Sequence, residues 1–419
     1  MGRQVVITGI GPLTPIGTGR DAFWDALRSG RSGACRVDDL IDLTDIDVKI
    51  GAPVREFDPL DHMDRRRARR LDRAAQFALV AAQLALADAG LEKDTLSPDR
   101  SGVVAGTGIG GLQTMEETYG ILRDAGPRRV SPFFVPRLMP NAIAGEIAIE
   151  HGLRGPNFGV VSACASSAHA IGVAGELIRS GLVDCVIAGG AEAVLVRIAY
   201  AGFAQIGAVS RRNEAPQRAS RPFDKDRDGF LMGEGAGFLV LEDRDTALAR
   251  GARIYAELAG FGMTADAYHI TAPLEDGAGA AQAIRISLTR AGIAPQEIDY
   301  INAHGTSTPL NDRSETLAIK AALGEAARRV KISSTKSQIG HLLGAAGSVE
   351  AIATLLSMEH GLIPATQNYE TPDPECDLDY TPESTSRSIG VALSNSFGFG
   401  GQNAALVFRA ISQKASRES

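Results

Sequence analysis

The amino-acid sequence predicts an α/β protein made of two similar α/β halves, about residues 1–253 and 254–412, and three observations carry that expectation. The chain has 419 residues, more than a single hydrophobic core usually sustains. Short β-branched runs alternate with segments whose apolar residues recur at helical spacing, the pattern of strands joined by packed helices. That alternation is similar before and after residue 254, although residue-level likeness between the halves is faint. Residues 413–419 form a polar tail, expected to fray.

In order, Val5 to Gly9 reads as a buried strand, followed by the glycine-rich stretch Gly11 to Gly17 and a short helix from Asp21 to Leu27. A dense basic cluster follows, with Arg65, Arg66, Arg67, Arg69 and Arg70 ahead of an apolar helix from Ala74 to Ala89. In a chain of formal net charge −7 this run is either a solvated face or a docking surface for an acidic partner; Arg128 and Arg129 make a second, smaller one. Ser101 to Gly106 is the next strand. Gly106 to Gly111 has the spacing GxGxxG, but it lies far from the N-terminal strand and no acidic residue closes a following strand. A dinucleotide site is therefore rejected. These glycines suit close backbone approach beside a pocket, with Ile109 pointing in.

The run from Val160 to Ala170 passes from a β-branched, strand-like start into a helical pattern, Ile171, Ala174, Leu177, Ile178, and places Cys164 at the turn. A cysteine there sits over the free N–H groups of a helix start, which favour thiolate and can donate to an oxyanion. The alternative is a buried, inert thiol. Asp184 to Gly189 is a strand and Leu195 to Ile206 a helix carrying Phe203. Asp224 to Gly229 copies the start of an EF-hand loop, but the twelfth position is Gly235 and a strand, Gly237 to Leu241, follows; its carboxylates are expected to hold a tight turn.

The second series comprises strands Ile254 to Gly262, Ile298 to Asn302, Val330 to Ser333, Ile389 to Leu393 and Asn403 to Phe408, with helices Gly279 to Ala291, Asp312 to Leu323 and Ser348 to Glu359. His304 follows one strand directly, and Lys336 and His341 follow another; strand ends are where open α/β sheets place site residues. The loop Asn395 to Gly401 can flex at its glycines while carrying the Phe399 ring.

Composition excludes several classes. The acidic balance argues against nucleic-acid binding, and no apolar run is long enough to span a bilayer. Cys35, Cys164, Cys185 and Cys376 are scattered, with no disulfide framework and no zinc-ligand spacing. No metal and no redox cofactor are expected. The N-terminus lacks a signal-peptide core, so a soluble, cytoplasmic protein is the expectation.

Four motifs, VSACASSAHAIG around Cys164, NAHGTSTP around His304, KSQIGHLLGAAG from Lys336 and SNSFGFGGQN around Phe399, resemble the β-ketoacyl-[acyl carrier protein] synthases, most closely the elongating type II enzymes of bacterial fatty-acid synthesis. RPFDKDRDGFLMGEGAG and GFGMTADAYHIT fit as well, so the resemblance spans nearly the whole chain. It implies the thiolase fold, layered helix, sheet, helix, sheet, helix, and a homodimer. Carried over residue by residue, Cys164 accepts the acyl chain, while His304 and His341 bind the malonyl thioester and promote its decarboxylation. Lys336 supports the site through Glu350. The amides of Cys164 and Phe399 form the oxyanion hole, and the Phe399 ring is the gate. Thr306 and Thr308 bind pantetheine, and Ile109 and Phe203 line the acyl pocket. Arg65, Arg66, Arg69, Arg70, Arg128 and Arg129 lie where the family docks its acyl carrier protein. Some relatives hold a monovalent cation at positions matching Asn302, Glu350, Ser394 and Asn395.

The chain departs from the pattern at Ser166, at Gly207, where a basic carrier contact is frequent, and at Gln402, where Thr is frequent. Those departures bear on chain length and carrier identity. A thiolase needs a second Cys near the C-terminus, absent from Asn395 to Gly401, and His341 argues against the chain-initiating synthases. A type II polyketide ketosynthase shares the chemistry and is the enzymatic alternative. A catalytically idle chain-length-factor-like subunit lacks the nucleophile that Cys164 supplies.

Overall fold

Both halves use one strand order. In the computed structural model, which describes residues 3–411, the first half supplies β1 (Val5–Thr14), β2 (Ser101–Gly106), β3 (Asn157–Val160), β4 (Cys185–Glu192) and β5 (Gly235–Asp243). The second supplies β6 (Ala256–Ala265), β7 (Tyr300–Asn302), β8 (Lys331–Ser333), β9 (Val391–Gly398) and β10 (Gln402–Arg409). The first sheet runs β3-β2-β4-β5-β1 and the second β8-β7-β9-β10-β6. In each, the two pairs around the second strand are parallel and the remaining two antiparallel. The sheets join edge to edge where β1 pairs antiparallel with β6, Val6 opposite Glu257 and Ile7 opposite Ala256.

Both sheet faces are covered, so the central strands are buried along their whole length and mostly apolar rather than alternating with polar residues. Successive side chains still point to opposite faces. Val103 and Ala105 pack outward with Phe77 and Ala81 of helix α1 (Arg73–Asp88), whereas Val104 packs inward with Ile171 and Ile178 of α2 (Ser166–Arg179). On the second sheet Val407 faces outward to Ile284 and Leu288 of α3 (Ala278–Ala291) and Ile319 of α4 (Pro309–Leu323). Leu406 and Phe408 face the middle, where α5 (Ala346–His360) lies beside α2. The result is five layers, helix, sheet, helix, sheet, helix, with α2 and α5 central. The same close packing recurs in both halves. A Cβ on Gly9 or Gly11 would come within 2.1 Å of helix α1 carbonyl oxygens, and one on Gly260 or Gly262 equally close to those of α3.

Several expected boundaries move. β1 continues to Thr14 through the glycines read as a loop, and β9 runs to Gly398, leaving only Phe399 to Gly401 as the turn to β10. Pairing with neighbours extends both, which local propensity does not report. The strand before Cys164 is Asn157–Val160, so Val161 lies beyond it and is exposed. Helices Leu112–Ala125 and Ala142–His151 were not anticipated; the first buries only Thr114 and Thr118 and so shows no apolar core face. Asp224 accepts N–H bonds from Asp226, Glu370 and Thr371, holding a turn as expected. The tail 413–419 lies outside the described residues. Among those described, no helix is long and apolar enough to cross a membrane.

Candidate active site

The turn between β3 and α2 and the turn that leads into α5 are built alike. Ala163 (φ 48°) precedes Cys164 and α2, and Leu343 (φ 45°) precedes Gly344 and α5. Both non-glycine residues take a left-handed conformation that these tight turns ahead of α2 and α5 impose. Ser166 braces the first turn, its Oγ accepting from the Ser162 N–H at 2.9 Å and donating to the Ala163 carbonyl at 2.7 Å. Only the first turn carries a nucleophile; in the second its place is taken by Gly344.

Cys164 is buried at one wall of a cavity of about 520 Å³ that also reaches His304, His341, Phe397, Phe399, Ile109, Phe203, Thr306 and Thr308. The expected preference for thiolate is not what the structure shows. Burial pushes the Cys164 thiol up to about 12, against the opposing pull of Lys336 and of the Phe399 amide. Burial therefore works against the thiolate that the helix start favours. The Phe399 N–H does face the sulfur, and Gly398 lets that strand end approach: a Cβ there would sit 2.7 Å from the Ser162 carbonyl oxygen.

The two histidines meet edge to face, ring centroids 5.4 Å apart. His341 Nδ1 accepts the Leu343 N–H at 3.3 Å, and His304 Nδ1 lies 3.2 Å from the Lys336 ammonium. With Nδ1 an acceptor in each ring, the proton of the neutral imidazole resides on Nε2. Burial, then the nearby Lys336 charge, holds both rings well below the usual histidine range. Both rings are therefore neutral Nε2–H donors.

Lys336 is itself buried and paired with Glu350 of α5, and it donates to the His304 carbonyl at 2.6 Å. Burial pushes the Glu350 carboxyl up to about 7, and Lys336 draws it back. Neither lines the cavity; they stand behind His304. Thr306 and Thr308 do line it, their hydroxyls 2.9 Å apart. Phe203 stacks edge-on against Phe230, which meets His341 the same way at 5.3 Å. Arg65, Arg66, Arg69, Arg70, Arg128 and Arg129 are exposed, and among the described residues none of them forms an ion pair, unlike Arg67 and Arg73. Arg70 lies 4.7 Å over the Phe133 ring.

Three contributors were missed from sequence. Glu315 accepts the His304 and Gly305 N–H groups at 2.9 and 2.8 Å; an acid on the helix after NAHG was the available signal. Phe397, on β9 and two residues before Phe399 of the turn, packs 5.7 Å from His304. Phe230 lies in the RPFDKDRDGFLMGEGAG motif, which is part of the family resemblance but assigns Phe230 no role of its own.

Comparison with known proteins agrees with this geometry. Family models described as "Beta-ketoacyl synthase, N-terminal domain" and "Beta-ketoacyl synthase, C-terminal domain" match residues 2–247 and 255–370. The chain belongs to the β-ketoacyl synthase family. Among relatives of this family member, the "3-oxoacyl-[acyl-carrier-protein] synthase 2" of Synechocystis is 50% identical over 408 residues, 97% of this chain and 98% of that protein. A β-ketoacyl synthase from Burkholderia phymatum superposes with TM-score 0.92 at 37% identity, covering 98% of this chain and all of that one. A type II polyketide ketosynthase solved with its acyl-carrier protein, AntDE:AntF, gives TM-score 0.90 at 35% identity over 98% and 100%.

Proposed function

We propose that this chain is an elongating 3-oxoacyl-[acyl carrier protein] synthase, and the observation that carries the reading is a cysteine facing two neutral Nε2–H histidines across an apolar cavity. The Cys164 sulfur attacks an acyl-carrier thioester; the bond to the carrier sulfur breaks and the thiol proton leaves with it. A malonyl thioester then binds with its carbonyl oxygen at the His304 and His341 donors. As the bond to CO₂ breaks, its electrons move toward that oxygen, where two fixed donors in a water-poor site stabilise the enolate. The carbanion attacks the Cys164 thioester, whose oxyanion the Cys164 and Phe399 amides hold. The C–S bond breaks, the Cys164 thiolate released takes a proton from solvent, and the chain is two carbons longer.

Lys336, supported by Glu350, holds His304 in its tautomer, and Thr306 with Thr308 bonds the pantetheine arm. Ile109 and Phe203 wall the acyl chain, and the Phe399 turn gates entry. The exposed arginines Arg65, Arg66, Arg69, Arg70, Arg128 and Arg129 dock an acidic acyl carrier protein; a carrier complex of the AntDE:AntF ketosynthase supports such a partner. A homodimer is supported by β3, which ends the sheet with Phe158 and Val161 exposed beside it. A cytoplasmic setting is supported by four free cysteines.

A monovalent cation also fits. Asn302 Oδ1, Glu350 Oε2, Ser394 Oγ and Asn395 Oδ1 are buried without hydrogen-bond partners, and hard cations take such oxygen ligands. These four residues would hold it, and its charge would steady Glu350 behind Lys336.

Intact-protein mass spectrometry with acyl carrier proteins of several lengths tests the reading. An acyl adduct on Cys164 should form, then disappear as malonyl carrier protein is added and a 3-oxoacyl product two carbons longer appears. Absence of any adduct would leave only an idle subunit. The greater identity to fatty-acid relatives, 50% against 35% for the polyketide ketosynthase, favours ordinary acyl primers over poly-β-keto chains.

A further inference from the structure

We propose that Glu192 is a positioning residue that sets the wall of the acyl pocket against His341, an inference that rests on the condensing reading above. Glu192 ends β4, is fully buried, and among the described residues forms no ion pair. Its partners are all donors. Oε1 accepts the Thr107 hydroxyl at 2.9 Å and the Ile109 N–H at 3.3 Å, while Oε2 accepts the N–H groups of Gly108 at 2.6 Å and Gly344 at 2.9 Å. An ionised carboxylate, which accepts at both oxygens and donates at neither, satisfies all four, and these donors oppose the upward push that burial gives its pKa.

Those donors come from two walls of the cavity. Gly108 and Ile109 line it on the acyl side. Gly344 follows Leu343, whose N–H holds His341 Nδ1 and so keeps the Nε2–H aimed at substrate. The contact has no slack: a Cβ on Gly344 would sit 2.2 Å from the Gly108 nitrogen and 2.6 Å from Glu192 Oε2. One carboxylate therefore fixes, through backbone alone, where the acyl chain lies relative to the histidine that polarises the malonyl thioester. Its negative charge also faces Cys164, adding to Glu350 and opposing Lys336.

The test compares wild-type protein with Glu192→Gln, Glu192→Asp and Thr107→Val. The Gln variant keeps the shape but turns an amide N–H₂ toward N–H donors. Its kcat for condensation should fall about ten- to a hundredfold, the cost of a small misplacement of reacting groups, with a smaller change in KM. Because a negative charge is lost, iodoacetamide at about pH 8 should alkylate Cys164, assigned by peptide mass, several-fold faster. Glu192→Asp keeps the charge and loses reach, so its alkylation rate should match wild type while turnover falls. A purely structural role would move the melting temperature and leave the Cys164 alkylation of Gln and Asp variants alike. Wild-type kcat in Glu192→Gln, or equal alkylation in the two variants, overturns the inference. If Glu192→Gln does not fold, Thr107→Val decides: it removes one donor, and unchanged turnover there overturns the inference as well. A wild-type protein whose Cys164 takes no acyl group would instead sink the proposed function.

Discussion

Lys336 and His304 meet twice: the ammonium lies 2.6 Å from the His304 carbonyl oxygen and 3.2 Å from its ring Nδ1. One cation thus fixes both the backbone and the tautomer of a catalytic histidine, and its own charge is balanced from behind by Glu350. The pair is buried, so its worth lies in geometry rather than in net stabilisation.

Replacing Lys336 with Met should therefore do two things at once. Glu350 would be left buried and unpaired, a loss of about 3–5 kcal/mol visible in chemical denaturation. Malonyl decarboxylation should drop about a hundredfold as His304 loses its tautomer lock, while acylation of Cys164 persists. Unchanged decarboxylation would remove Lys336 from the proposed chemistry.

Cys164→Ala removes the nucleophile and leaves both Nε2–H donors in place. Condensation should vanish, yet slow release of CO₂ from malonyl carrier protein should continue, read by carbonate capture or product mass. Elongation at the wild-type rate would mean the acyl chain is carried elsewhere.

The pH profile follows from the direction of the histidine shifts. Both native pKa values lie well below 6.5, so the neutral donors persist as pH falls and decarboxylation should stay level through pH 6.5. For stability, an unfolded histidine takes up a proton near 6.5 that the native one refuses, so each contributes stability that is lost as pH falls below that value. Glu315 and Glu350, each pushed by burial to about 7 from 4.5, act oppositely, and stability rises as pH falls through that window. The terms offset, so the melting temperature should change little between about pH 7 and 5. A decarboxylation limb titrating at the ordinary histidine pKa would contradict the buried-neutral assignment.

Charge reversal at Arg65, Arg66 and Arg69 tests the docking surface. These side chains are exposed and make no internal ion pairs among the described residues, so folding should be unaffected. KM for acyl carrier substrates should rise about tenfold or more, with little change for acyl-CoA, and the difference should shrink at high salt. Equal effects on both substrates would return the cluster to a solvated face.

Much of the site was legible because its chemistry sits in short contiguous motifs at strand ends. Cys164, His304 and Lys336 each follow a strand within a few residues, and His341 comes just after the short helical turn Lys336–Ile339, so local pattern suffices to place them. The pairing of Lys336 with Glu350, fourteen residues on, came from resemblance, and the structure supplies the contact. Glu192, Phe397 and Phe230 were not read, because each acts through neighbours distant in the chain, whereas Glu315 stands only ten to eleven residues from the amides it holds.

The chain by itself determined the α/β class, the succession of strands and helices, and which residue types stand at the strand ends, since those follow from local periodicity and turn chemistry. Tertiary structure alone decided that both halves share one strand order, and that a single carboxylate, Glu192, receives N–H groups from both. It also decided the protonation of the site. A helix start favours thiolate in any sequence, but only packing shows that Cys164 is buried, and burial pushes its thiol up.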